Sequence, residues 1–183
     1  MKLDLITNKR NIEKNINPND EFYTPIYAIK PLLKYLENYK TIWCPFDSED
    51  SYFVKELEKA GHKVIYTHIL NGEDFFEIEP NNYDCIVSNP PYSLKNEVLN
   101  RLFKLNKPFA MLMGVVGIFE SKKRFDLFKN NNFEIMYFNK RISYFRSYEE
   151  EKPMLNPPFS SVYITHNVLP KQIIFEEIEK SDK

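Results

Sequence analysis

The sequence predicts an α/β fold: one domain, a mainly parallel sheet, and helices on both faces. Two observations carry this. Short β-branched or aromatic runs alternate with amphipathic helical segments at intervals of about 20–30 residues. The 183-residue chain also leaves no segment long enough for a second domain.

Residues 1–20, with Asn8, Asn11, Asn15, Asn17 and Asn19, read as a polar N-terminal arm. At Thr24-Pro25 a helix can begin, because Thr can cap and Pro suits the first turn. Ile26, Ile29, Leu32, Leu33 and Leu36 recur at helical spacing, and Pro31 should shorten or kink that helix. Thr41–Cys44 reads as a short buried strand ended by Pro45. Residues 51–60 carry Phe53, Val54, Leu57 and Ala60 at helical period, and Gly61 stands where a C-terminal cap belongs.

Lys63–Ile69 reads as a strand and Asn71-Gly72 as a turn. Cys85–Val87 is a strand ended by Pro90-Pro91. Leu94, Val98, Leu102 and Leu105 define a helix over 94–105. Phe109–Phe119 is the most apolar run and predicts a strand covered on both faces. Residues 121–130 predict a basic helix with Phe125 and Phe128 inward. Two further strands are expected at Ile135–Phe138 and Ser161–Thr165. The domain is expected to span 21–168, with 169–183 a charged C-terminal helix or tail.

Composition excludes several classes. Only 4 glycines occur, and neither G-x-x-x-x-G-K nor G-x-G-x-x-G appears. Hydrophobic residues at 43% and aromatics at 15% suffice for a packed core, which argues against disorder. Cys44 and Cys85 make neither a disulfide framework nor a zinc site, and no metal is expected. No signal pattern opens the chain and no apolar run is long enough to span a bilayer, so a cytoplasmic protein without membrane contact is expected.

Charge is unevenly spread. Residues 1–92 hold 10 basic and 15 acidic side chains, whereas 93–147 hold 11 basic and 4 acidic. The basic stretch suits a polyanion, or equally the solvated faces of helices.

The sharpest feature is Ser88-Asn89-Pro90-Pro91-Tyr92, directly after a predicted strand. Ligands of open α/β sheets bind beyond the carboxyl ends of strands. Two prolines fix the backbone and remove two donors, leaving an acceptor-rich turn. The Asn89 side-chain oxygen and the Pro90 carbonyl can together accept a planar NH2 group, and Tyr92 offers a stacking face. Accepting both amine hydrogens favours pyramidalisation and localises the lone pair, which helps a poor nucleophile attack. A near copy, Asn156-Pro157-Pro158-Phe159, precedes a strand instead of following one and reads as structural.

Strand-Asn-Pro-Pro-Tyr resembles the catalytic motif of S-adenosylmethionine-dependent amino-methyltransferases, above all the N6-adenine DNA methyltransferases. Their order of motifs is similar to that of residues 21–168, so the resemblance implies a seven-strand, Rossmann-like methyltransferase fold. It assigns Asn89, Pro90, Pro91 and Tyr92 to catalysis. Phe22, Tyr23, Thr24 and Pro25, before a helix, resemble the family's N-terminal cofactor motif, whose Thr-Pro segment closes over the methionine part of S-adenosylmethionine. Asp74 and Phe75, after the family's third strand position, resemble the pair that holds the cofactor's adenine. Pro45 and Asp47 fall in the first cofactor loop, where the family's Gly-x-Gly is replaced by Cys44–Asp50; Asp47 or Asp50 could bind the methionine ammonium. His68 stands where a ribose-binding acid is usual. Tyr144 and Phe145 resemble residues that stack on the target base.

An adenine in a duplex must be flipped to reach such a site. Lys122, Lys123, Arg124 and Arg141 would then meet phosphates. Nucleic acid, with DNA favoured, is the expected partner, and sequence specificity would come from the 139–160 loop, the N-terminal arm or a protein partner. Two rivals remain: methylation of an RNA base or a protein glutamine amide, and a non-catalytic binding module built on the same fold.

Overall fold

A computed structural model describes residues 22–150, 152–153 and 156–180. The predicted arm at 1–20 lies outside the described residues. Among the described residues, four α-helices, α1 (Ile26–Leu33), α2 (Tyr52–Lys59), α3 (Lys95–Leu105) and α4 (Lys122–Lys129), flank one seven-stranded sheet. Its strands are β1 (Thr41–Cys44), β2 (Lys63–Tyr66), β3 (Cys85–Ser88), β4 (Phe109–Gly114), β5 (Glu134–Phe138), β6 (Ser161–His166) and β7 (Ile173–Glu176). Their order is β2-β1-β3-β4-β6-β5-β7. β6 runs antiparallel to both neighbours, and the other four pairings are parallel.

Strand alternation sorts the core into two layers. Ile42, Cys44, Cys85, Val87, Ala110, Leu112 and Tyr163 face α1 and α2. Trp43, Ile86, Phe109, Met111, Met113, Val162 and Ile164 face α3 and α4. Burial on both faces explains why β4 reads as an apolar run without a period, whereas the equally buried β6 also carries Ser161, Thr165 and His166.

Several elements differ from the sequence expectation. Thr24 does not cap α1: Pro25 holds the N-cap position without a side-chain bond. Pro31 is accommodated inside α1. β2 stops at Tyr66 because Thr67 turns inward to accept the Trp43 indole N–H at 2.9 Å, and a 3-10 turn comes next at Ile69–Asn71, closed by Gly72 at φ 80°. Between β2 and β3 there is no further strand, so Asp74-Phe75 comes after this turn rather than after a third strand. β4 ends at Gly114, and the chain turns through Gly117 at φ 72° instead of continuing to Phe119. On α4, Phe128 is buried while Phe125 is 56% exposed, contrary to the inward reading. The 169–183 segment is no helix or tail over 173–176: this is β7, paired in parallel with β5. Among the described residues no helix is long and apolar enough to cross a membrane.

β1 sits at the point where the chain order reverses, with β2 on one side and β3 on the other. Trp43 aligns with Ile86, so the loops leaving Cys44 and Ser88 exit side by side. A crevice at such a switch point is the expected ligand site.

Candidate active site

A cavity of about 650 Å³ opens there, within the usual range for ligand pockets. Its wall combines the loops after β1 (Pro45, Phe46, Asp47), β2 (His68, Leu70) and β3 (Asn89, Pro91), together with Tyr23 and Thr24. Asp47, Glu73 and Asp74 line it, and no Lys or Arg among the described residues does.

Asn89 is held in one orientation. Its Nδ2 donates to the Phe22 carbonyl at 2.7 Å and to Thr24 Oγ1 at 3.2 Å. Both donors being used, the remaining Oδ1 is a buried acceptor without a partner among the described residues. Buried polar atoms are nearly always satisfied, so this orphan marks a place for a donor. Arg101 Nε is likewise unpaired, but its guanidinium stacks 5.3 Å from the Phe75 ring, which compensates it partly.

Asp47 holds the glycine-free loop after β1 in a hydrogen-bonded knot. Ser51, the N-cap of α2, donates to Asp47 Oδ1 at 2.5 Å and accepts the Phe53 N–H. Ser88 at the end of β3 donates to Asp47 Oδ2. One buried carboxylate thus ties together β1, α2 and β3. Burial pushes its pKa up to about 6, with the two serine hydroxyls pulling the other way. Asp74 Oδ1 accepts the Phe76 N–H at 2.9 Å and closes its own turn. Phe75 is buried among Trp43, Phe46 and Phe76. Arg101 pins the turn by donating to the Phe76 and Ile78 carbonyls. His68 Nδ1 accepts the Leu70 N–H at 3.2 Å, so this histidine both packs and lines the cavity.

Of the predicted cofactor residues, Tyr23, Thr24, Pro45, Asp47, Asp74 and Phe75 come together on the cavity wall, while Pro25 lies outside it at the N-cap of α1. Of the predicted catalytic residues, Asn89 and Pro91 line the cavity, whereas buried Pro90 and half-buried Tyr92 do not. Tyr144 and Phe145 do not form an open stacking face. Both are 0% exposed; Tyr144 Oη donates to Ser161 and meets Tyr92 Oη at 3.0 Å, and Phe145 packs on Tyr52. Arg124 is also engaged internally, donating to the Gly117 and Ile118 carbonyls and to Asn96 Oδ1. Lys122, Lys123 and Arg141 are exposed and outside the cavity wall.

Sequence reasoning names Phe22 only within the cofactor-motif resemblance and Phe159 only within the second Asn-Pro-Pro segment, and it does not single out Glu73. Glu73 is accessible to it, from its place beside Asp74 after the Asn71-Gly72 turn. Phe159 belongs to the second Asn-Pro-Pro segment. Because β6 is antiparallel, Ser161 pairs with Gly114, and the segment entering β6 lies at the same sheet end as the loops leaving β3 and β4. Phe159 accordingly packs 5.5 Å from Tyr92.

No protein-family profile matches the chain, nor does any curated protein. Eleven solved chains match it in structure. One is described as a modification subunit of a type I restriction enzyme from Vibrio vulnificus YJ016, with 11% identity and a TM-score of 0.53 over 94% of this chain and 50% of that one. Another is a type I restriction-modification methyltransferase subunit from Streptococcus thermophilus, at 13% identity and a TM-score of 0.48 over 86% of this chain and 47% of that one. The chain therefore shares its α/β fold with the first of these, the modification subunit. It spans about half the length of the structures it matches.

Proposed function

We propose that the protein transfers a methyl group from S-adenosylmethionine to the exocyclic N6 amine of adenine, with DNA as the favoured polymer. The observation that carries this is Asn89: a buried, unpartnered Oδ1 whose amide is anchored through Nδ2. An acceptor fixed in place before substrate arrives stabilises the attacking amine without reorganisation. The Pro90 carbonyl is the second acceptor in this reading, and Tyr92 with its aromatic neighbours the stacking face.

The cavity's residues fit the cofactor. Three carboxylates without a lining Lys or Arg suit a cationic ligand and disfavour a polyphosphate. Asp47 would hold the methionine ammonium. Asp74, with Oδ1 committed to the Phe76 N–H, would accept the adenine amine through Oδ2, beside Phe75. Tyr23, Thr24 and Pro45 would cover the methionine end. S-adenosylmethionine supplies the electrophilic methyl group. Lys122, Lys123 and Arg141 are candidates for phosphate contacts, and a protein partner for sequence specificity. Arg124, committed to the 117–118 carbonyls, is the weakest of the basic candidates.

A second reading is a methyltransferase-fold binding module without catalysis. It is favoured by the glycine-free loop, in which both Asp47 oxygens are already engaged by serines.

Calorimetric titration with S-adenosylmethionine, then tritiated methyl transfer to DNA, RNA and protein, separates these readings. Cofactor binding and transfer to DNA are expected. Transfer to RNA or a protein amide alone would reassign the substrate, and no binding at millimolar cofactor would remove the enzyme reading. Asn89→Ala should abolish transfer and spare cofactor binding.

A further inference from the structure

The face of Tyr92 is covered by a residue of the chain's own N-terminal segment. Phe22 stacks on it at 5.1 Å between ring centroids and 26° between planes, parallel-stacked geometry available to a planar heterocycle. The same ring meets Tyr144 at 5.2 Å and, edge-on, Phe159 at 6.4 Å. Phe159 in turn lies so close over Gly114 that a Cβ there would sit 2.9 Å from two of its ring carbons. Gly114 therefore makes room for Phe159 as a wall. Earlier in Tyr92's own turn, the orphaned Oδ1 of Asn89 waits for a donor, and Asn89 bonds the carbonyl of Phe22 itself.

We infer that Tyr92, Phe159 and Gly114 form a slot for a planar purine, and that the Phe22 ring occupies it as an internal plug. This rests on the amine-methylation reading for the identity of the ligand, not for the existence of the slot. The backbone beneath the plug is pinned: Phe22 O accepts from Asn89, and Tyr23 and Phe145 exchange both backbone hydrogen bonds at 3.2 and 3.0 Å. The ring can therefore leave by rotation about its own side-chain bonds while the carbonyl that orients Asn89 stays. A base entering the slot must displace Phe22, so affinity is reduced by the fraction of molecules in which the ring is in place.

The test reads purine binding, not methyl transfer. 2-Aminopurine riboside is titrated by fluorescence into the wild-type chain, Phe22→Ala, Phe22→Leu and Phe22→Ala/Tyr92→Ala. Removing the ring should tighten binding roughly 10-fold, the scale of one aromatic stacking contact, with Leu giving a smaller gain. The double variant should lose that gain. In the wild-type chain, the nuclear Overhauser contact between the Phe22 and Tyr92 rings should disappear at saturating riboside. Unchanged or weaker binding by Phe22→Ala would overturn the plug and make Phe22 a wall. A ring contact that persists in the saturated wild-type protein would overturn it without any variant. Tighter purine binding without methyl transfer would leave the slot standing and remove the methyltransferase reading; transfer by the wild type without the gain does the reverse.

Discussion

Asp47 is a carboxylate buried at the end of β1 whose pKa is raised to about 6, first by burial. Between its unfolded value near 4 and about 6, the folded state holds the proton more tightly, so stability falls as pH rises through that window. The ionised form at pH 7 costs roughly 3 kcal/mol relative to the acid limit. Asp47→Asn, which can still pair with Ser51 and Ser88, should flatten the pH 4–6 stability profile and raise the midpoint at pH 7 by several degrees; thermal unfolding across pH checks it. The same variant should weaken S-adenosylmethionine binding if Asp47 holds its ammonium. Gly114→Ala places a methyl against Phe159 and should disturb the ring cluster at Tyr92 while leaving β4 paired, which ring-proton shifts of Tyr92 would report. At this scale, motif and position alone suffice to bring Asn89, Asp47 and Asp74 to one cavity wall. The contacts of Phe22 and Phe159 with Tyr92 are not legible, because they span 70 and 67 residues of sequence.

Two elements change meaning once their strand directions are known. β7 carries Ile173 and Phe175 exposed and Glu176 in contact with Lys34 and Tyr35, and the charged run Glu176, Glu177, Glu179 and Lys180 makes the segment read as a tail. Yet it caps the open edge of β5. Truncation after Gln172 removes it together with buried Ile178 and should lower the unfolding midpoint and the soluble yield, since an unpaired strand edge invites aggregation. β6 is the second case. A segment before a strand lies at the far end of a parallel sheet but at the near end when that strand is antiparallel. The 156–159 segment is remote on the first assumption, and the pairing of Gly114 with Ser161 brings it to the cleft. By contrast, α2 is largely legible: Gly61 at φ 96° comes just after it, and Phe53, Val54 and Leu57 face the core, although Ala60 is exposed. Ser51→Ala should cost about 1 kcal/mol through the lost cap, measured by denaturant unfolding, and more if Asp47 is left short of a donor.

At the scale of the molecule, the acid-lined cavity and the exposed lysines divide the expected ligands between a cation inside and a polyanion outside. Saturating S-adenosylmethionine at about 100 times its dissociation constant should stabilise the fold by about 2.7 kcal/mol, a midpoint shift of roughly 5–10 °C, readable by thermal unfolding with and without the cofactor. The alternation of apolar runs and amphipathic helices determined by itself that the protein is a layered α/β fold, since burying a sheet on both faces requires that pattern. The proline pair likewise determined an acceptor-rich turn, because its backbone is locked wherever it stands. Only the tertiary structure decided which rings meet Tyr92, that the Asn89 amide nitrogen is bonded while its Oδ1 stays unpaired, and how a loop without glycine is held. These depend on strand direction and on contacts between distant residues, and local propensity carries no information about either.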